Sequence, residues 1–239
     1  MDCLIPARSG SKGIPKKNIV LLRDIPLIAY TIFVAKNSKN INNVYVSTDS
    51  DEIAEIARFY GALTPFLRPK YLASDKANDR EVFCHFFNEA KKLSIPLSTE
   101  IIHLRPTTPG RDIYELNKAI SNFKLDNNCS SMRSAHESEL YPHKWFNINK
   151  IYLEPVIKSD SNVEITNLPR QSFPKVFIPN GYIDIVRNSI FKFEGRFHGE
   201  KIMPFITKPA IDIDNFKDLE LAKEDKQVIN LSKEIKKKI

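Results

Sequence analysis

Along the first 125 residues, short apolar runs alternate with stretches whose apolar positions recur every three or four residues. Residues 3–5 form an apolar run that reads as a short buried strand, and residues 44–47 and 101–104 repeat the pattern. Residues 25–35 have helical spacing and end in a polar stretch, 36–43. Ser50 suits a helix N-cap, and Asp51 and Glu52 suit the positive end of the helix dipole. Ile53, Ile56, Ala57 and Tyr60 then share one face, and Gly61 stops the helix. Val82, Phe83, Phe86, Phe87 and Ala90 make another apolar stripe, read as core, and Ile113, Leu116, Ile120 and Phe123 mark the next helix.

Strand, helix, strand, helix without long linkers predicts an α/β fold with a mostly parallel sheet covered on both faces. Ligands of such sheets bind beyond the carboxyl ends of the strands. The loops after residues 3–5 and 101–104 both leave at that edge, so they are expected to converge. Residues 137–178 break the alternation. Tyr141-Pro142-His143-Lys144-Trp145-Phe146 is aromatic and irregular, and residues 151–156 read as a strand outside the pattern.

The first of those loops holds the densest chemistry. Arg8, Lys12, Lys16 and Lys17 surround Gly10 and Gly13, and Asn18 follows. Glycines let backbone N–H groups approach a ligand, the cations supply fixed charge, and an asparagine amide can pair with a base edge. That combination suits a nucleoside triphosphate. It is neither a Walker A loop nor a G-x-G-x-x-G dinucleotide fingerprint. Arg8 leads for the triphosphate, beside the backbone of Ala7, Ser9, Gly10, Ser11 and Gly13, with Lys17 second and Lys12 and Lys16 accessory.

Composition narrows the class without naming it. The 239 residues suit one domain, and 42% hydrophobic with 27% charged residues excludes wholesale disorder. No apolar run approaches a membrane span, no signal peptide is visible, and no C-x-x-C pair joins Cys3, Cys84 and Cys129, so a cytoplasmic enzyme without zinc or disulfides is expected. The net charge of +7 owes much to Lys233, Lys236, Lys237 and Lys238, which read as a solvated tail rather than a nucleic-acid surface. A basic nucleic-acid-binding module stays as the alternative from another class, but no recognised motif supports it. His85, His103, His136, His143 and His198 lack ligand-pair spacing and read as packing or surface residues.

The block Ala7-Arg8-Ser9-Gly10-Ser11-Lys12-Gly13-Ile14-Pro15-Lys16-Lys17-Asn18 resembles the signature of the acylneuraminate (CMP-sialic acid) cytidylyltransferase family. Further blocks follow in the family's order: Val46-Ser47-Thr48-Asp49, Leu67-Arg68-Pro69 with Leu72-Ala73-Ser74-Asp75, and Arg105-Pro106-Thr107-Thr108-Pro109-Gly110-Arg111. The last are Pro169-Arg170-Gln171, Pro179-Asn180-Gly181 and Ile211-Asp212-Ile213-Asp214. The resemblance implies a Rossmann-like three-layer α/β/α nucleotidyltransferase fold over residues 1–239, with 137–178 as a protruding dimerisation element. It implies transfer from CTP to an acidic 2-keto-3-deoxy sugar, with pyrophosphate released. Asn18 and Arg68 become cytidine contacts. Arg105, Thr107, Asn180, Gly181 and Asp184 fall near the sugar, and Lys144 and Arg170 reach the site from the other subunit of a homodimer.

Asp212 and Asp214, two apart in an extended segment, point to the same side and suit Mg2+ shared with phosphate. Asp214 also precedes a helical pattern, so it could instead be an N-cap; the family pattern favours the metal, with Asp214 as general base. Two positions depart from the family, which often has glutamine at Arg105 and tyrosine at Asp184. A polar sugar other than N-acetylneuraminate, or a compensating Arg–Asp pair, would account for both. A 3-deoxy-manno-octulosonate cytidylyltransferase is the alternative within the fold. Its loop typically has a threonine-arginine pair where this chain has Ser11-Lys12-Gly13.

Overall fold

The computed structural model describes residues 1–158, 163–192 and 195–238. In chain order its regular elements begin with β1 (Asp2–Pro6), β2 (Leu21–Leu22), β3 (Ile25–Pro26), α1 (Leu27–Lys36), β4 (Val44–Ser47), α2 (Asp51–Phe59), α3 (Asp79–Lys92) and β5 (Glu100–His103). They continue with α4 (Ile113–Leu125), β6 (Ser131–Glu137), β7 (Phe146–Asn149), β8 (Tyr152–Pro155), β9 (Phe177–Arg187), β10 (Ile202–Ile206), α5 (Phe216–Glu224) and α6 (Lys226–Lys236). Among the described residues no helix is long and apolar enough to cross a membrane.

Six strands form one sheet in the order β10-β6-β9-β5-β1-β4. β4 and β5 run parallel to β1, and β10 runs parallel to β6, whereas β9 is antiparallel to both of its neighbours. The sheet is therefore mostly parallel, as expected. Its two faces bury different residues because side chains alternate along each strand. Cys3, Ile5, Ile102, Ile183 and Ile185 join α1, α2, α4, α5 and α6 in the larger core. Leu4, Tyr45, Ile101 and Val186 face Phe83 and Phe86 of α3 on the other side.

This topology sets where the site lies. The carboxyl ends of β1, β4 and β5 reach one edge together. The reversed sense of β9 brings its N-terminal half, with Asn180-Gly181, to that same edge, and β10 leads its following segment there as well.

Most sequence expectations hold, with instructive differences. Residues 44–47 form β4 as read, Ser50 caps α2 by accepting from the Ile53 N–H, and Gly61 follows the helix at φ +87°. The helix expected over 25–35 begins two residues later. Pro26 disfavours helix at Ile25, and Arg23 and Asp24, at φ 51° and 64°, turn the chain so that β3 pairs with β2. The strand expected over 151–156 is shortened to β8 and forms a hairpin with β7, outside the main sheet. Residues 159–162 of the expected 137–178 insertion lie outside the described residues.

Candidate active site

The glycine loop leaves β1 and is pinned on three sides. Ala7, buried, donates its N–H to the Ser47 carbonyl at 2.9 Å. Ser9 donates twice to Asp49, from its N–H at 2.8 Å and its hydroxyl at 2.6 Å. Burial alone would raise the Asp49 carboxyl, but those two donors and nearby Arg68 hold it below its ordinary value. Asn18, also buried, donates to the Arg8 carbonyl at 2.8 Å and closes the loop. Gly13 packs so tightly on the Asp214 carbonyl that any Cβ there would collide with it. That contact accounts for glycine at 13.

Beyond the sheet edge lies a cavity of about 370 Å3. Arg8, Gly10, Ser11, Lys17 and Asn18 line it from the glycine loop, Arg68 from the segment before α3, and Arg105 and Thr107 from the loop after β5. Two loops far apart in sequence thus converge as expected. Arg68 is 5% exposed, and its Nε and one terminal nitrogen meet no partner among the described residues. Burial lowers its pKa, with Asp49 opposing. A buried guanidinium with unmet donors on a cavity wall is suited to a ligand's acceptors.

Arg105 and Asp184, the two departures from the family, meet directly at 2.9 Å. Arg105 also meets Asp79, the first residue of α3, at 3.1 Å. Burial would lower the Arg105 pKa, but the two carboxylates outweigh it and raise it. Asp184 is 1% exposed and stands in register between His103 on β5 and Arg133 on β6. His103 lines the cavity, rests edge-on against Phe83, and is pushed down to about 4 by burial and then by Arg105. It is therefore neutral at physiological pH. The compensating Arg–Asp pair is present, and its Arg105 end still faces the cavity.

The segment carrying Asp212 and Asp214 is stitched to both loops. The N–H of Ile213 donates to the Thr107 carbonyl at 2.8 Å, and Asp214 supplies the carbonyl under Gly13. Ile213 is fully buried while Asp212 and Asp214 are exposed, so the two carboxylates project outward from either side of it. Lys17 Nζ meets Asp214 Oδ1 at 2.8 Å. The capping alternative for Asp214 is overturned, because Asn215 caps α5 with Asp218 completing a capping box. Among the described residues no cluster of three or more His, Cys, Asp or Glu could hold a metal by protein ligands alone. Two carboxylates suit Mg2+, which keeps few protein ligands and takes the rest from phosphate and water.

Other expected residues stand apart. Asn180 is buried and donates to the Thr207 hydroxyl at 2.6 Å, away from the cavity wall. Gly181, at φ +65°, packs on Thr108 and the Arg105 side chain. Lys12 is largely exposed and is absent from the wall. Lys144 donates to the Thr166 carbonyl at 3.2 Å, and Arg170 borders a separate hollow with Glu137 and Tyr141. Neither reaches this cavity within one chain.

Asp75, quoted in a family block, His103, read as packing, and Asp79, not singled out, all line the cavity wall although sequence reasoning gives them no site role, and it gives Arg111 none. Asp79 is an acid in the first turn of α3. Arg111 is fully buried and donates to the Tyr182, Gly181, Arg105 and Thr108 carbonyls and to the Thr31 hydroxyl. It ties the 105–111 loop to the start of β9, and its burial lowers its pKa to about 10.

The profile of the Cytidylyltransferase family matches residues 3–167. Post-translational flagellin modification protein B of Campylobacter coli is 33% identical over 92% of this chain and 92% of its own length. The N-acylneuraminate cytidylyltransferase of Escherichia coli O18:K1:H7 is 33% identical over 99% of this chain, which spans 55% of that longer protein. A solved structure of CMP:2-keto-3-deoxy-manno-octonic acid synthetase complexed with CTP superposes with a TM-score of 0.69 at 14% identity, covering 93% of this chain and 96% of the other. At that identity the likeness speaks for the fold.

Proposed function

Because the chain belongs to the cytidylyltransferase family, we propose that it transfers CMP from CTP to a hydroxyl of an acidic 2-keto-3-deoxy sugar of the nonulosonic (sialic-acid-like) class. The observation that carries this reading is the cavity in which Arg8 and Lys17 of the glycine loop, the unmet guanidinium of Arg68 and the Asp184-paired Arg105 converge, with Asp214 held to Lys17 beside it. The relative named N-acylneuraminate cytidylyltransferase supports the sugar class.

In this scheme the backbone N–H groups of residues 10–13 and the Arg8 guanidinium hold the triphosphate, and Lys17 leaves Asp214 to join them. Asn18 and Arg68 receive the cytosine and ribose. The sugar hydroxyl attacks the α-phosphorus, the bond from that phosphorus to the bridging oxygen breaks, and pyrophosphate leaves. The proton of the hydroxyl passes to Asp214. Asp212 and Asp214 would hold Mg2+, which neutralises the triphosphate and lowers the pKa of the attacking hydroxyl. The protein's part is chiefly positioning and charge stabilisation. Arg105 meets the acid sugar on the far wall, with Asp184 buried behind it as its partner. The enzyme works as a cytoplasmic homodimer in which Lys144 and Arg170 serve the other subunit's site.

Pyrophosphate release with Mg2+ tests this, using CTP, UTP, ATP and GTP against eight- and nine-carbon keto-acid sugars. Release with CTP and a nine-carbon acid is expected. Release only with the eight-carbon acid would favour the octulosonate alternative, and no release with any pair would contradict the proposal.

A further inference from the structure

The four cations of the glycine loop all meet carboxylates, but not in the same way. Lys16 meets Glu52 of α2 at 2.7 Å, off the cavity wall, and Lys17 meets Asp214. Arg8 and Lys12 share one carboxylate. Arg8 lies 2.7 Å from Asp75 Oδ1, and Lys12 lies 2.9 Å from Asp75 Oδ2. Arg8 also donates to the Ala73 carbonyl at 3.4 Å. Asp75 thus offers one oxygen to each cation, as a phosphate group would. It sits on the cavity wall with Leu72, Ser74 and Ala77, in the stretch between the 3-10 turn Lys70–Ala73 and the N-cap Asn78 of α3.

The contact is built to yield. The Asp75 and Lys12 side chains are 44% and 82% exposed, so water and salt screen the pair. A Cβ at Gly10 would meet nothing within 4 Å, so the loop has open space beside its cations. Hydrogen bonds from Lys12 and Arg8 hold the Asp75 carboxyl below its ordinary value, so it is an anion at neutral pH.

We propose that Asp75 is an anionic placeholder for the triphosphate: it occupies Arg8 and Lys12 in the empty cavity and is displaced when the nucleotide binds. The inference rests on the cavity being the CTP site. A carboxylate left between the two cations would face the incoming phosphates with like charge. The triphosphate brings several charges against one, so it wins the exchange, but each binding event must first break both contacts. Asp75 therefore sets nucleotide affinity through Arg8 and Lys12 without touching the reacting atoms, and residues 74–78 shift outward on binding.

Calorimetric titration of wild type, Asp75→Asn and Asp75→Ala with CTP, inorganic tripolyphosphate and cytidine tests this. Both variants should bind CTP and tripolyphosphate about three- to tenfold more tightly, in line with loss of exposed ion pairs that compete with the ligand. Cytidine, which lacks phosphate, should bind all three proteins alike. Unchanged or weaker CTP binding in the variants, or an equal gain for cytidine, would overturn the placeholder. Failure of wild type to bind CTP at all would instead overturn the assignment of the cavity.

Discussion

The cavity at the sheet edge and the 137–178 extension are built on opposite principles. Around the cavity, side chains are held by partners from distant parts of the chain: Ser9 by Asp49, Lys17 by Asp214, Arg105 by Asp79 and Asp184. Among its described residues, the extension holds Lys144 by its own backbone and turns several apolar side chains to solvent. Lys144 is bonded to Thr166, while Ile148, Ile151 and Leu153 of the β7–β8 hairpin are 78%, 83% and 64% exposed. Apolar exposure of that kind fits the proposed dimer contact. One chain therefore suffices to shape the cavity; on the proposed scheme that cavity takes the nucleotide, and a second copy completes the sugar side.

The largest effect should follow from the cavity side. Asp214→Asn is expected to lower turnover about 10²- to 10⁴-fold, as loss of a positioned base does, with an unchanged circular dichroism spectrum. Near-normal turnover would remove Asp214 from the chemistry. Asp184→Asn probes the clamp on Arg105. It leaves Arg105 and Arg133 short of a buried carboxylate and should cost about 3 kcal/mol in urea unfolding. A loss within experimental scatter would show that the pair adds little to folding.

The extension is tested by mixing. Lys144→Ala should raise the sugar KM about tenfold, as expected for losing a charged contact, with little change for CTP. Arg8→Ala should be inactive alone. Exchange of subunits between the two variants should then restore up to about a quarter of wild-type activity, because mixed dimers hold one intact site each. No recovery, with dimer exchange demonstrated, would place both residues in one subunit's site or take Lys144 out of it.

The smallest effect is a pH slope. His103 is neutral in the folded chain down to about 4, against an ordinary value of 6.5. The unfolded chain binds the extra proton between those values, so this stability is present above pH 6.5 and is lost as pH falls toward 4. Its share is about 1.4 kcal/mol per pH unit in that window. His103→Gln should flatten the unfolding free energy there, and an unchanged slope would show that another group sets it.

How much was legible in the chain follows from what each element buries. β1, β4 and β5 are short apolar runs, and they were readable at once. β6, β9 and β10 were not. Serines 131 and 134 are buried in β6, where Ser134 accepts from the Ile183 N–H, and a register shift between Arg133 and Ala135 breaks the alternation. In β9, Gly181 and Asp184 interrupt an apolar strand for reasons that lie outside it. The glycine loop was legible because its cations and glycines are neighbours in sequence. Asp75, Asp79 and Arg111 were not, because each acquires its role from a partner that only the fold brings near.

The most direct test of the account is a crystal structure with CTP bound. The triphosphate should lie against the N–H groups of residues 10–13 and Arg8, with Asp75 turned away and the cytosine toward Asn18 and Arg68. Nucleotide in the separate hollow of about 660 Å3 between α4 and residues 206–211, with the glycine loop empty, would contradict it.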